Sequence, residues 1–96
     1  MTLYIFSYDI PSGEDGDKRR AKLARFLEGI GLRVQMSVFE VRIQPEKLLN
    51  ICRQIEEIVD EKCDTVRIYA ICASCESKHV SIGVSSNCEY ESVMFF

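Results

Sequence analysis

Residues 32–43 carry their apolar side chains in two phases. Leu32, Val34, Met36 and Val38 occupy even positions, then Phe39, Val41 and Ile43 occupy odd ones. Successive side chains of a strand point to opposite faces, so a single strand cannot exchange its buried face midway. The segment therefore reads as two antiparallel strands joined by a tight turn or bulge at Gln35-Met36-Ser37. Any fold for this chain has to be built around that hairpin.

What flanks the hairpin repeats on both sides. Before it, Leu3, Ile5 and Ser7 alternate with Tyr4, Phe6 and Tyr8, a strand covered on both faces that stops at Asp9-Ile10-Pro11. A helix follows. Asp15 and Asp17 suit its N-terminal end, Leu23, Phe26, Leu27 and Ile30 form its apolar stripe, and Gly29 and Gly31 stop it. After the hairpin, Pro45 fits the first position of a second helix with a buried stripe of Leu48, Cys52, Ile55 and Val59, supported by Leu49, Ile51 and Ile58. Asp64 closes the connection to a strand at residues 65–72, and the alternation of Val80, Ile82 and Val84 predicts another at 78–84.

The order β-α-β-β-α-β is the ferredoxin-like α+β arrangement. It places residues 1–84 in one domain and leaves residues 85–96, ending in Val93-Met94-Phe95-Phe96, as a β-rich tail. Two helices cover one face of such a sheet. The other face still carries apolar residues, and a chain of 96 residues has nothing left to cover it. A second copy related by a two-fold axis is the economical cover, with the tail pairing against an exposed edge of that copy.

No basic segment precedes the short apolar run at residues 3–6, which predicts a soluble, cytoplasmic protein without a membrane partner. Five cysteines do not close into a disulfide framework and read as thiols in a reducing compartment. Cys72-Ala-Ser-Cys75 spells a CxxC, and with His79 and Cys88 it could bind zinc on paper, at a spacing that matches no strong zinc pattern. A redox pair would sit at a helix N-terminus after a strand with a lowered thiol pKa; structural thiols are the plainer reading. There is no phosphate-cradling glycine loop, no His-Glu-x-x-His and no nucleophile elbow, and the single histidine, His79, has no visible catalytic partner.

A net charge of −3 argues at first against nucleic acid. The distribution changes that reading. Residues 18–53 hold nine basic and three acidic side chains, whereas the other sixty hold three basic and twelve acidic. Lys18, Arg19, Arg20, Lys22 and Arg25 crowd the first helix, and Arg33 follows on the next strand. Taken alone they are a solvated helix face; with the segregation they suggest an anionic ligand such as a phosphate backbone. Asp9 ends a hydrophobic strand just before a loop. It suits either a turn cap or one carboxylate of an Mg²⁺ site, with two copies converging near a dimer axis.

Tyr8-Asp9-Ile10, Lys18-Arg19-Arg20, the run from Gly31 to Glu40 containing Gln35-Met-Ser37-Val38-Phe39, and Asp64-Thr-Val-Arg67-Ile-Tyr69 together resemble the small CRISPR-associated adaptation protein, second in that nomenclature. The match runs through residues 3–84, with Ala70 where many members have proline and no strong family pattern after Ser85. The resemblance implies a ferredoxin-like homodimer that bridges integrase subunits and holds incoming duplex DNA during spacer acquisition. It implies Asp9 from each subunit as an Mg²⁺ ligand (or a ligand of another divalent cation) of a metal-dependent nuclease acting on RNA or DNA. It also implies Arg19, Arg20 and Arg33 as the matching arginines, and Tyr8, Ser37 and Phe39 at the dimer cleft. The competing expectation is a toxin-like, Mg²⁺-dependent endoribonuclease on the same fold.

Overall fold

The structure, a computed structural model, describes residues 1–83. The elements in chain order are β1 (Thr2–Asp9), α1 (Glu14–Glu28), β2 (Leu32–Gln35), β3 (Val38–Ile43), α2 (Leu48–Ile58), β4 (Thr65–Ile71) and α3 (Ala73–Glu76). One antiparallel sheet runs β2-β3-β1-β4, with β1 between β3 and β4. This is the split βαβ order expected of the ferredoxin-like fold.

The hairpin forms where the phase changes. Met36 and Ser37 make the turn, and the pairing slips between Arg33 opposite Phe39 and Gln35 opposite Val38, a bulge that re-phases β2 against β3. Pro45 opens a short 3₁₀ turn, Pro45–Lys47, that leads into α2.

The helix-side face of the sheet is aromatic. Tyr4, Phe6 and Tyr8 of β1 stand beside Val41 and Phe39 of β3 and Ile68 and Val66 of β4. Leu23 and Leu27 of α1 and Ile51 and Ile55 of α2 close over them. Phe6, Phe39, Leu23, Leu27 and Val41 are fully buried. Each such side chain contributes about 1.5–3 kcal/mol relative to exposure, which makes this layer the main stabilising element of the fold. Leu49, expected to support the α2 stripe, points outward, because the buried line of that helix runs through Ile51 and Ile55.

The opposite face carries Leu3, Ile5, Ser7 and Asp9, with Val38, Glu40 and Arg42 on one side and Arg67, Tyr69 and Ile71 on the other. It is not wholly bare. The short α3 packs on β1, Arg42 of β3 pairs with Glu76 of α3, and Leu3 at this end is buried. Tyr69 and Leu32 on the same face remain exposed.

The strand expected at residues 78–84 does not form over its described part. From 78 to 83 the chain is turn and irregular backbone, with Val80 and Ile82 exposed. Alternation alone does not make a strand: β4 pairs only with β1, and residues 78–83 turn away after α3 without pairing to its open edge. Val84, Cys88 and the tail at 85–96 lie outside the described residues.

Candidate nucleic-acid interface and metal site

Asp9 is the last residue of β1, exposed, on the open sheet face and opposite Thr65. The elements around it are firmly held. After Asp9 the chain turns through buried Ile10 into α1, and Arg20 grips that turn: Nη2 donates to the Ile10 carbonyl at 2.9 Å while Nη1 reaches Asp17 Oδ1 at 2.8 Å. The Arg20 guanidinium holds the Asp17 carboxyl below its ordinary range. Gly16 lets α1 sit against the turn, since a Cβ there would meet the Pro11 carbonyl oxygen at 2.1 Å.

On the other side of Asp9, the β2–β3 turn is tied to β1. The Tyr8 amide donates to Ser37 O at 3.1 Å, and the Tyr8 hydroxyl donates to Met36 O at 3.4 Å. Arg33 donates to the same Met36 carbonyl from Nε at 3.0 Å and from Nη2 at 2.8 Å. Its Nη1 pairs with Glu28 at 3.2 Å, and the guanidinium lies 5.3 Å over the Phe39 ring. Phe39 in turn stacks on Tyr8 with centroids 6.2 Å apart.

Tyr8 and Phe39, which the resemblance places at the dimer cleft, are core residues of this chain. Their rings lie on the helix-side face and are buried in this chain's own core. They sit there because Tyr8 and Phe39 face the same side of the sheet as Phe6. Ser37 is half-buried in the turn and accepts the Tyr8 amide through its carbonyl.

The six candidate phosphate ligands divide in two. Arg19 leaves α1 toward the α2–β4 connection, where Nε donates to Asp64 Oδ2 at 2.6 Å and Nη2 to Oδ1 at 3.0 Å. The Asp64 side chain is fully buried and also accepts the Asp60 amide at 2.8 Å, so Arg19 neutralises a carboxylate inside the molecule. The Arg19 hydrogen bonds hold that carboxyl below its ordinary range. Arg20 and Arg33 also make internal contacts, as above. Lys18, Lys22 and Arg25 are exposed, at the three- and four-residue spacing that lines up one helix face, away from the buried Leu23 and Leu27. Arg20, Arg25 and Arg33 line a groove of about 460 Å³ together with Asp17, Glu28, Ala21 and Ala24.

The sequence missed the Asp64 anchor. Its signal was the placement of Asp64 just before a strand, with a bidentate-capable arginine elsewhere in the chain. Among the described residues no three His, Cys, Asp or Glu side chains form a group that could hold a metal. A lone exposed Asp9 suits an ion that keeps waters and substrate phosphates as its other ligands, which is the habit of Mg²⁺. No helix of the described residues is long and apolar enough to cross a membrane.

Residues 1–79 match the family described as CRISPR associated protein Cas2. The CRISPR-associated endoribonuclease Cas2 4 of Rhodospirillum rubrum is 35% identical over 85 residues, covering 88% of this chain, and the chain spans only 65% of that relative's length. The fold superposes on the crystal structure of Streptococcus pyogenes Cas2 at a TM-score of 0.77 and 29% identity, covering 84% of this chain and 99% of that one. It also superposes on a chain of a partial Cas6-RT-Cas1–Cas2 complex at a TM-score of 0.72 and 31% identity, covering 85% of each. A family match over residues 1–79, about four-fifths of the sequence, with a relative 35% identical over 88% of the chain, decides the kinship: this chain belongs to the CRISPR associated protein Cas2 family.

Proposed function

We propose that two copies of this chain, in the cytoplasm, form the scaffold that holds duplex DNA and bridges integrase subunits during CRISPR spacer acquisition. The observation that carries this reading is the outward line of Lys18, Lys22 and Arg25 on α1, set in a family whose solved relatives include one in a Cas1–Cas2 complex. Arg20 and Arg33 fix the turns on either side of Asp9, and Arg19 locks α1 to the start of β4. The cationic line is thereby held rigidly against the sheet. Contacts of this kind position a duplex through its phosphates and read no sequence.

A second reading concerns Asp9, because relatives carry the name endoribonuclease. Two Asp9 carboxylates, one from each copy, would hold an Mg²⁺ ion or a similar divalent cation, which when bound polarises a phosphate and activates water. This chain's own contribution is to present the carboxylate, exposed, between two pinned turns.

One pair of variants tests both readings. Lys18→Glu, Lys22→Glu and Arg25→Glu together should abolish duplex binding in a fluorescence-anisotropy titration and stop spacer integration. Asp9→Asn should leave both intact while removing any Mg²⁺-dependent cleavage. Undiminished duplex affinity in the charge-reversed protein would defeat the scaffold reading on this face.

A further inference from the structure

The Cys72–Cys75 motif is unused by the function proposed above. β4 ends at Ile71. Cys72 then takes extended backbone, φ −71° and ψ 159°, and its carbonyl accepts the Cys75 amide at 3.0 Å and the Glu76 amide at 2.9 Å. The two cysteines thus flank one turn. Side chains three residues apart on such a turn are neighbours, with Cβ atoms about 5–6 Å apart. A disulfide needs Cβ atoms about 3.5–4.5 Å apart, so closure draws the pair together by roughly 1–2 Å within the turn.

Both thiols are free and exposed. The Cys72 sulfur lies 3.3 Å from the Ser74 hydroxyl, and the Cys75 thiol hydrogen-bonds to it as well. Those two donors bring Cys72 down to about 7, the Ser74 hydroxyl first, while sharing its proton with Cys72 pushes Cys75 up. The turn is anchored, because the Glu76 carboxylate pairs with Arg42 on β3. His79 directs Nδ1 to the Glu76 carbonyl at 3.1 Å. These residues make no three-ligand metal grouping among the described residues.

We propose that Cys72 and Cys75 are a redox-active dithiol that closes to an intramolecular disulfide by exchange with a low-molecular-weight disulfide. The Cys72 thiolate attacks one sulfur of the small disulfide, forming a mixed disulfide and releasing one small thiolate. Cys75 loses its proton and attacks Cys72 Sγ, releasing the second. Two protein thiols are oxidised to one disulfide, and the small disulfide is reduced to two thiols. Cys72 is the attacking group because it is the better ionised at neutral pH. The new bond fixes the turn itself, whose seat on the open face of the sheet is held by the Glu76–Arg42 pair.

The test uses the full chain, reduced and then equilibrated in buffers of reduced and oxidised glutathione, alkylated and mapped by peptide mass spectrometry. The peptide holding both cysteines should lose two hydrogens in oxidising buffer, resist alkylation at both positions, and recover on adding dithiothreitol. Cys63, exposed in the same chain, serves as the internal control and should stay alkylatable. In the reduced protein at pH 7, Cys72 should react with iodoacetamide roughly five to ten times faster than Cys75, after allowing for the lower intrinsic nucleophilicity of a more acidic thiol. Independent alkylation of both cysteines after oxidation, stable glutathione adducts on each, or pairing with Cys52, Cys63 or Cys88 would overturn the proposal. So would one equivalent of zinc released on alkylation.

Discussion

At the scale of single residues, charge sorts by what lies beside it. Lys18 and Arg19 are adjacent in sequence and opposite in fate: one faces solvent and the other closes on the buried Asp64 carboxylate at 2.6 Å. Sequence alone could not separate them, since a basic cluster looks the same whether its partner is a phosphate or an internal carboxylate. Asp64 accepts from Arg19 and from the Asp60 amide, and its folded pKa is lowered chiefly by the Arg19 hydrogen bonds. A depressed carboxyl pKa adds stability that is present above the unfolded value, about 4, and is lost as pH falls through the lower folded value. Asp64→Asn should therefore be less stable than the parent at neutral pH, by about 1.5–3 kcal/mol. The gap should stay constant above about pH 5 and narrow below about pH 4. Urea denaturation across that range measures it. A gap that does not change between pH 7 and pH 3 would show that the ion pair contributes nothing to folding.

At the scale of elements, the hairpin and the helices were legible because each has its own period, and the phase change at residues 35–37 marked the turn within a residue or two. The strand expected at 78–84 and the outward Leu49 were not legible, because periodicity records a face without recording whether another element arrives to cover it. Nor was the close seating of α1 on the turn after Asp9. Gly16 is buried in the first turn of α1, and in a helix interior Ala is ordinarily favoured over Gly by about 1 kcal/mol. Here an added Cβ would stand 2.1 Å from the Pro11 carbonyl oxygen, a backbone atom that cannot swing aside. Overpacking of this kind costs about 1–3 kcal/mol, so the steric term outweighs the propensity gain. Gly16→Ala should lower the melting temperature and shift the amide resonances of Asp9 and Ile10 in an NMR spectrum. A raised melting temperature would mean that helix and turn are not seated this tightly.

At the scale of the whole molecule, the two faces of the sheet differ in how they are finished. The helix-side core is closed within one chain, whereas Ile5, Val38, Tyr69 and Ile71 on the other face are left half-buried or exposed. That contrast was readable from β1, where both alternating sets are largely apolar. Tyr69 lies opposite Ile5 near the middle of this face, is 50% exposed, and contacts Arg67 through its hydroxyl at 3.4 Å. A charge there disturbs little in one chain but is buried unpaired between two. In the proposed dimer, Tyr69→Glu should therefore break the pair and yield a folded monomer by light scattering. The change should carry through to nucleic acid. Lys18, Lys22 and Arg25 on each of two chains offer six phosphate contacts, for a slope of log affinity against log salt of about −5. With three contacts on one chain the slope falls to about −2.7. The parent should lose roughly a thousandfold in affinity between 50 and 200 mM salt, and the variant roughly fortyfold. A variant that stays dimeric would remove this face as the interface. One that becomes monomeric but keeps the steeper slope would show that the phosphate contacts do not lie on this line of α1.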